Sequence, residues 1–238
     1  MANVLIVDAS SAFCSATLVT DDGLFDIAEQ QPRRHAQRLL PMIDEVVQQA
    51  GISKRQIDGV AYARGPGSFT GIRIAVSVVQ GMALGLELPV YGFSTLQLLA
   101  WQAAAGRQLD RIACVMDAHM GEVFWGVFEH SEAGWTLTGT EQVGAPDVCV
   151  GDLSRQLQQQ PDCRWMLAGN GLKLLPAGLP ELPCLAELEP LSRYAAELVQ
   201  QAWQSGQFGD MDAYPPVYLR DSVAWKKLDE QPSLLKRN

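Results

Sequence analysis

The sequence is short of the residues that usually carry chemistry. It has three histidines, His35, His119 and His130, far apart along the chain. None stands in the His-x-x-x-His or His-Glu-x-x-His spacing that would put two imidazoles on one helical face, so the common histidine-based metal sites are excluded. The five cysteines, Cys14, Cys114, Cys149, Cys163 and Cys184, are odd in number and widely spaced, with no Cys-x-x-Cys pair. They read as reduced, mostly buried thiols and not as a disulfide framework or a zinc clip. No Gly-x-Ser-x-Gly nucleophile elbow occurs. No run reaches the about 18 consecutive apolar residues of a membrane span, because Ser77 and Gln80 interrupt the most apolar stretch, 74–86. The N-terminus enters the strand-like Val4-Leu5-Ile6-Val7 without a basic segment, a long apolar core or a small-residue cleavage site. A cytoplasmic location is therefore expected. Positive charge is scarce as well: 18 Lys and Arg against 27 Asp and Glu give a net charge of −9. That argues against a free-standing nucleic-acid binder, whose affinity comes largely from neutralising phosphates. The basic C-terminal end (Lys226, Lys227, Lys236, Arg237) reads as a solvated tail.

What the sequence does have is apolar residues, 47% over 238 positions, enough for one large domain or two lobes with proper cores. It also repeats itself. Val4-Leu5-Ile6-Val7 runs into Asp8-Ala9, a short polar turn and a second strand through Cys14, Ala16 and Leu18. Ile112-Ala113-Cys114-Val115-Met116 runs into Asp117-Ala118, a turn at Gly121 and a strand over 123–128. The first copy continues with a strand over 24–29, a helix over 35–50, a strand over 59–63 and a helix over 70–84. The second continues with a strand over 136–142, a weak helix over 148–159, a strand over 165–168 and a helix over 191–204. Strands followed by alternating helices and strands, twice over, suggest a duplication that builds two α/β lobes, residues 1–108 and 109–238.

The two helices of the first lobe differ in kind. Over 35–50, Ala36, Leu39, Leu40, Ile43, Val46, Val47 and Ala50 form one stripe with polar residues opposite. Pro41 predicts a kink there. Over 70–84 the apolar residues run nearly all the way round, leaving Arg73, Ser77 and Gln80. Such a helix must be covered on more than one side, either by its own lobe or by a partner protein. Between this helix and the strand before it lies Arg64-Gly65-Pro66-Gly67-Ser68-Phe69-Thr70-Gly71. Glycines at a helix N-terminus can cradle a phosphate. The spacing is Gly-x-Gly-x-x-x-Gly, however, and no Lys-Ser/Thr pair follows, so the favoured reading is a tight Pro-Gly turn with Ser68 or Thr70 capping the helix. A nucleotide-site remnant formed by Asp8, Gly65, Gly67, Ser68 and Asp117 is the alternative.

Four separated segments resemble the bacterial TsaB family, formerly called YeaZ. They are Tyr62 through Arg73 with the Gly65–Gly71 loop, the 35–41 segment ending Leu39-Leu40-Pro41, Asp117-Ala118-His119-Met120-Gly121-Glu122-Val123, and Pro216-Val217-Tyr218-Leu219-Arg220 with Val223-Ala224-Trp225-Lys226-Lys227. The resemblance covers essentially the whole chain. It implies the α/β, duplicated two-lobe actin, sugar-kinase and heat-shock-chaperone ATPase-like (ribonuclease H-like) fold. It also implies a catalytic paralogue, TsaD, which carries a metal-binding His-x-x-x-His just after the segment matching 89–93. This chain has Ser94-Thr95-Leu96-Gln97-Leu98-Leu99 there, a capping box in place of the ligands. The resemblance thus implies a non-catalytic scaffold with no metal and no cofactor. It would pair with the TsaD-type subunit through its first-lobe helices in a four-helix bundle and be joined by the small ATPase TsaE. It would meet tRNA only through that complex, form a homodimer through the same face when alone, and have no contact with membrane. The interface residues expected are Leu40, Ile43, Val47, Ile74, Val78 and Met82. Two other readings are an ATPase or small-molecule kinase of the same superfamily and a glycoprotease-like peptidase.

Overall fold

The computed structural model describes residues 2–30 and 34–220. The basic residues Lys226, Lys227, Lys236 and Arg237 and the 223–227 part of the resemblance lie outside them. Two five-stranded sheets form the frame. In the first, β1 (Val4–Asp8), buried at every position, pairs antiparallel with β2 (Phe13–Thr20), which pairs antiparallel with β3 (Gly23–Gln30). On its other side β1 pairs parallel with β4 (Gly59–Ala63) and β4 with β5 (Val90–Phe93). The order is β3-β2-β1-β4-β5.

The second sheet repeats this order strand for strand. There β6 (Arg111–His119), β7 (Glu122–Ser131) and β8 (Gly134–Gly144) are antiparallel, and β6, β9 (Trp165–Ala168) and β10 (Cys184–Leu185) are parallel. Three antiparallel strands followed by two parallel ones, made twice, are the duplicated ribonuclease H-like plan of the actin and sugar-kinase class.

Helices α1 (His35–Gln49) and α2 (Phe69–Leu86) precede and follow β4. Helix α3 (Thr95–Ala104) follows β5, and residues 105–110 lead on to β6. In the second lobe α4 (Pro146–Gln159) matches α1. The helix predicted over 191–204 is shorter than expected: Ser192–Ala195 is a 3₁₀ turn, and α5 is Ala196–Gln204. It follows β10, so its counterpart is α3 and not α2. Where α2 would recur there is only the 3₁₀ turn Asn170–Leu174. Pro176, Pro180 and Pro183 crowd the rest of that connection and prevent a long helix. Helix α1 continues through Pro41, which lies on its exposed side, so the carbonyl left without a donor faces water.

Alternation along β1 divides the interior. Leu5 and Val7 face α1 and α2, joining Leu39, Met42, Val46 and Val79. Val4 and Ile6 face the other lobe, in a shared core with Phe93, Leu99, Ile112, Cys114 and Val199. Beneath α4 a third cluster gathers Val115, Trp125, Cys149 and Leu153. The lobes exchange cover: α3 packs on β6 and its neighbours, while the 192–195 turn and α5 pack on the first sheet. Ser192 N donates to Ser15 Oγ at 3.0 Å and shares a 2.7 Å hydroxyl bond with Thr17, both buried. Gln97 Nε2 donates to Trp135 O at 3.0 Å. Ser94 caps α3 by accepting from Leu96 N and Gln97 N. The predicted capping box is therefore half made, because Gln97 reaches across to the second lobe. All five cysteines are free thiols, three of them buried.

Candidate functional site

The end of β1 sits against the 65–71 loop. Asp8 is fully buried. Its Oδ1 accepts from Ser10 N at 2.8 Å, and its Oδ2 has no hydrogen-bond partner among the described residues. Burial pushes its pKa up from 3.8 to about 6, the Ser10 hydrogen bonds opposing and the Glu189 charge assisting. Gly65 and Gly67 hold φ of +113° and +157°. A Cβ on Gly67 would lie 2.4 Å from Ser10 O, and one on Gly71 would lie 1.8 Å from Ala9 O, so only glycine lets the loop approach this closely. Ser68 N donates to Ser10 O at 2.7 Å, and Ser68 Oγ accepts from Gly71 N at 3.2 Å. Two of the loop's amides, those of Ser68 and Gly71, are thus taken by the chain's own oxygens, and Ser68, not Thr70, is the cap.

Asp117, the second-lobe counterpart of Asp8, uses the same device: its Oδ1 accepts from His119 N at 2.7 Å. The two aspartates are linked only indirectly. Asp117 N donates to Asn170 Oδ1 at 2.8 Å, Asn170 Nδ2 donates to Glu189 Oε1 at 2.7 Å, and Glu189 acts on Asp8 by charge. The structure therefore brings Asp8, Gly65, Gly67 and Ser68 together and leaves Asp117 in the other lobe.

A different surface is formed by the outer sides of α1 and α2. Helix α2 buries only Gly71, Ile72, Ala75 and Val79. Ile74, Val78, Met82 and Leu86 stay half-buried. Phe69 is 45% exposed, Leu84 84% and, across on α1, Leu40 50%. A groove of about 580 Å³ between the helices is lined by Leu40, Ile43, Asp44, Val78, Gly81 and Met82. It adjoins a second of about 450 Å³ lined by Ala36, Phe69, Arg73 and Ile74. A Cβ on Gly81 or Gly85 would meet nothing within 4 Å, which leaves room for another backbone to approach. With a mean hydropathy of 1.5 and 22% of its residues buried, α2 is the one helix among the described residues long and apolar enough to cross a membrane by length and composition. That differs from the sequence expectation, because the average over the helix tolerates Ser77 and Gln80. Its buried stripe packs on β4 and α1.

Of the six interface residues expected, Leu40, Ile74, Val78 and Met82 lie on this outer side. Val47 is corrected: at 4% exposure it belongs to the core beneath α1, whereas Ile43, 1% exposed and part of the same core, still forms the floor of the groove. One residue step turns a helix by about 100°, which separates exposed Leu40 from buried Leu39. Phe69 and Leu84 were missed as surface residues. Leu84 lies in the apolar run and Phe69 in the loop just before the predicted helix, and the pattern does not say which side faces out.

Residues 27–157 match the family model described as "TsaD: tRNA N6-adenosine threonylcarbamoyltransferase". The chain is 36% identical over 230 residues to the tRNA threonylcarbamoyladenosine biosynthesis protein TsaB of Escherichia coli (strain K12), covering 94% of this chain and 97% of that relative. It is 31% identical to the protein of the same name from Haemophilus influenzae, covering 94% and 96%. The solved structure "YeaZ from Pseudomonas aeruginosa" superposes with a TM-score of 0.82 at 34% identity, covering 92% of this chain and all of that one.

Proposed function

This chain belongs to the TsaB family of tRNA threonylcarbamoyladenosine biosynthesis proteins, and from that premise we propose that it is the non-catalytic subunit of the modification complex, docking a TsaD-type catalytic paralogue on the outer face of α1 and α2. The observation that carries this reading is the composition and exposure of α2, an 18-residue helix that its own lobe covers on only one side. Small residues at Gly81 and Gly85 and the exposed Leu40 and Leu84 suit a second helix pair of related fold. The same face serves a homodimer when the partner is absent.

In this reading the chain is required for transfer of threonylcarbamoyl to the adenosine beside the anticodon, works in the cytoplasm beside a TsaE-type ATPase, and meets tRNA only through the complex. The net charge of −9 supports that last point. A role as scaffold without turnover of its own is supported by the 65–71 loop, where the amides of Ser68 and Gly71 already have partners within the chain.

The test is a pair of variants. Ile74→Glu with Val78→Glu places two carboxylates into the seam, each costing about 2 kcal/mol or more when desolvated and unpaired, which exceeds ten-fold in affinity per site. Leu84→Glu does the same from a position with almost no packing of its own. Both proteins should keep normal circular dichroism, run as monomers on sizing, and lose capture of the TsaD-type subunit and threonylcarbamoyl transfer. Normal capture by both would place the interface elsewhere.

A further inference from the structure

The Pro216-Val217-Tyr218-Leu219-Arg220 segment only borders the docking face just described, at Phe69, yet its contacts span the molecule. After α5 the chain returns to the first sheet, where Val90 and Gly209 bond each other in both directions at 2.8 and 3.0 Å. Tyr62 Oη then donates to Tyr214 O at 2.5 Å, and Val217 N donates to Arg64 O at 2.8 Å. A Cβ on Gly65 would lie 2.5 Å from Val217 O, so the segment rests directly on the loop that leaves β4. The Tyr218 ring lies 5.2 Å from that of Phe69, the first residue of α2, and Arg73 places its guanidinium 3.7 Å over the same Phe69 ring. Two residues later the chain reaches the other lobe. Arg220 Nη2 donates to Ala118 O at 3.3 Å and His119 O at 3.5 Å and pairs with Glu122. It thereby gathers the turn between β6 and β7, where His119 and Met120 both hold positive φ, the carbonyls of Ala118 and His119 accept from the cation, and Met120 Sδ lies 3.6 Å from Arg220 Nη1.

We propose that residues 214–220 are a clasp that holds the two lobes at one fixed angle, with Arg220 as its releasable end. The lobes otherwise meet through the shared core and the exchanged helices. The clasp adds a second point of attachment at the ends of β4 and β6, and two attachments stop a hinge that one would allow. Because Tyr218 rests on Phe69, the clasp also fixes the start of α2 relative to the second lobe. This inference concerns the chain alone and does not depend on which protein covers α2.

The experiment is hydrogen exchange by mass spectrometry on the full chain, comparing Arg220→Ala, Glu122→Ala and the double variant with the unaltered protein. Loss of a partly exposed charged contact should speed exchange about five-fold in peptides covering both 64–72 and 116–123, while β1 and β9 stay protected. The double variant should exchange no faster than Arg220→Ala. Unchanged exchange, acceleration confined to 116–123, or additive effects would each overturn the clasp. Should Arg220→Ala not fold, Arg220→Lys, which keeps the charge but cannot reach Glu122 and both carbonyls at once, takes its place, and unchanged exchange in its 64–72 peptide would overturn the clasp.

Discussion

The two lobes are built on one strand order, but the position between their parallel strands is filled differently. Between β4 and β5 the first lobe inserts an 18-residue helix, α2, whereas between β9 and β10 the second inserts the five-residue turn Asn170–Leu174. In the second lobe Leu172, Leu175, Leu179 and Leu182 fold down onto the cluster beneath α4, so that lobe covers its own outer face. In the first lobe α2 covers the sheet and carries a second apolar side into solvent. A repeated fold thus yields one self-sufficient half and one half with apolar surface to offer, and the difference lies in a single connection.

Truncating one leucine on each side tests the contrast most severely. Leu153→Ala in α4, buried beneath the second lobe's helix, should cost about 2–5 kcal/mol in urea unfolding. Leu84→Ala in α2 should change stability by less than about 0.5 kcal/mol and yet weaken capture of a TsaD-type subunit. Equal costs would erase the distinction between a covered and an uncovered face.

A smaller effect comes from the buried end of β1. Asp8 has its pKa raised from 3.8 to about 6 by burial, so the folded state holds this proton more tightly than the unfolded chain. Its contribution to stability is complete below about pH 4 and is lost as pH rises through 6, a change of up to about 3 kcal/mol at 1.36 kcal/mol per unit. Asp8→Asn keeps an acceptor for Ser10 N but cannot titrate. Relative to this variant, the unaltered protein should therefore lose stability between pH 3.5 and pH 7. Parallel unfolding curves across that range would show that Asp8 is not the buried titrating group.

The mildest test lies within α2 itself. Gly81→Ala and Gly85→Ala each meet open space and should gain about 1 kcal/mol of helix stability in the isolated chain, seen as a raised Tm. Gly71→Ala, whose Cβ would strike Ala9 O, should lower it instead. Gains at all three positions would mean that both sides of α2 are equally open.

Much of this architecture is legible in the sequence, because β1, β6 and α1 carry clean periodicities and the Asp8 and Asp117 turns mark equivalent places in the two copies. The missing α2 counterpart is not legible. A 3₁₀ turn of five residues and a two-residue β10 have no period to read, so the next periodic stretch, 191–204, was matched to the wrong helix. At the docking face, the apolar excess of α2 shows from composition alone. The burial of Val47 does not, because it depends on which strand lies beneath α1, and that is set by contacts distant in sequence.

The exchange of cover between the lobes bears on how the chain comes into being. Sheet one is complete in sequence at Phe93, but Val4 and Ile6 on its inner face are covered by residues that continue to Gln204, and the Ser15–Ser192 bond spans 177 positions. At about 5–20 residues per second, a ribosome takes about 6–20 s to supply the intervening stretch. During that interval the first half has its strands but not its lid, and a nascent chain released near residue 108 would present a flat apolar sheet to its neighbours. The protein should therefore reach its native state late in synthesis, in one closing step that recruits α5 to β1.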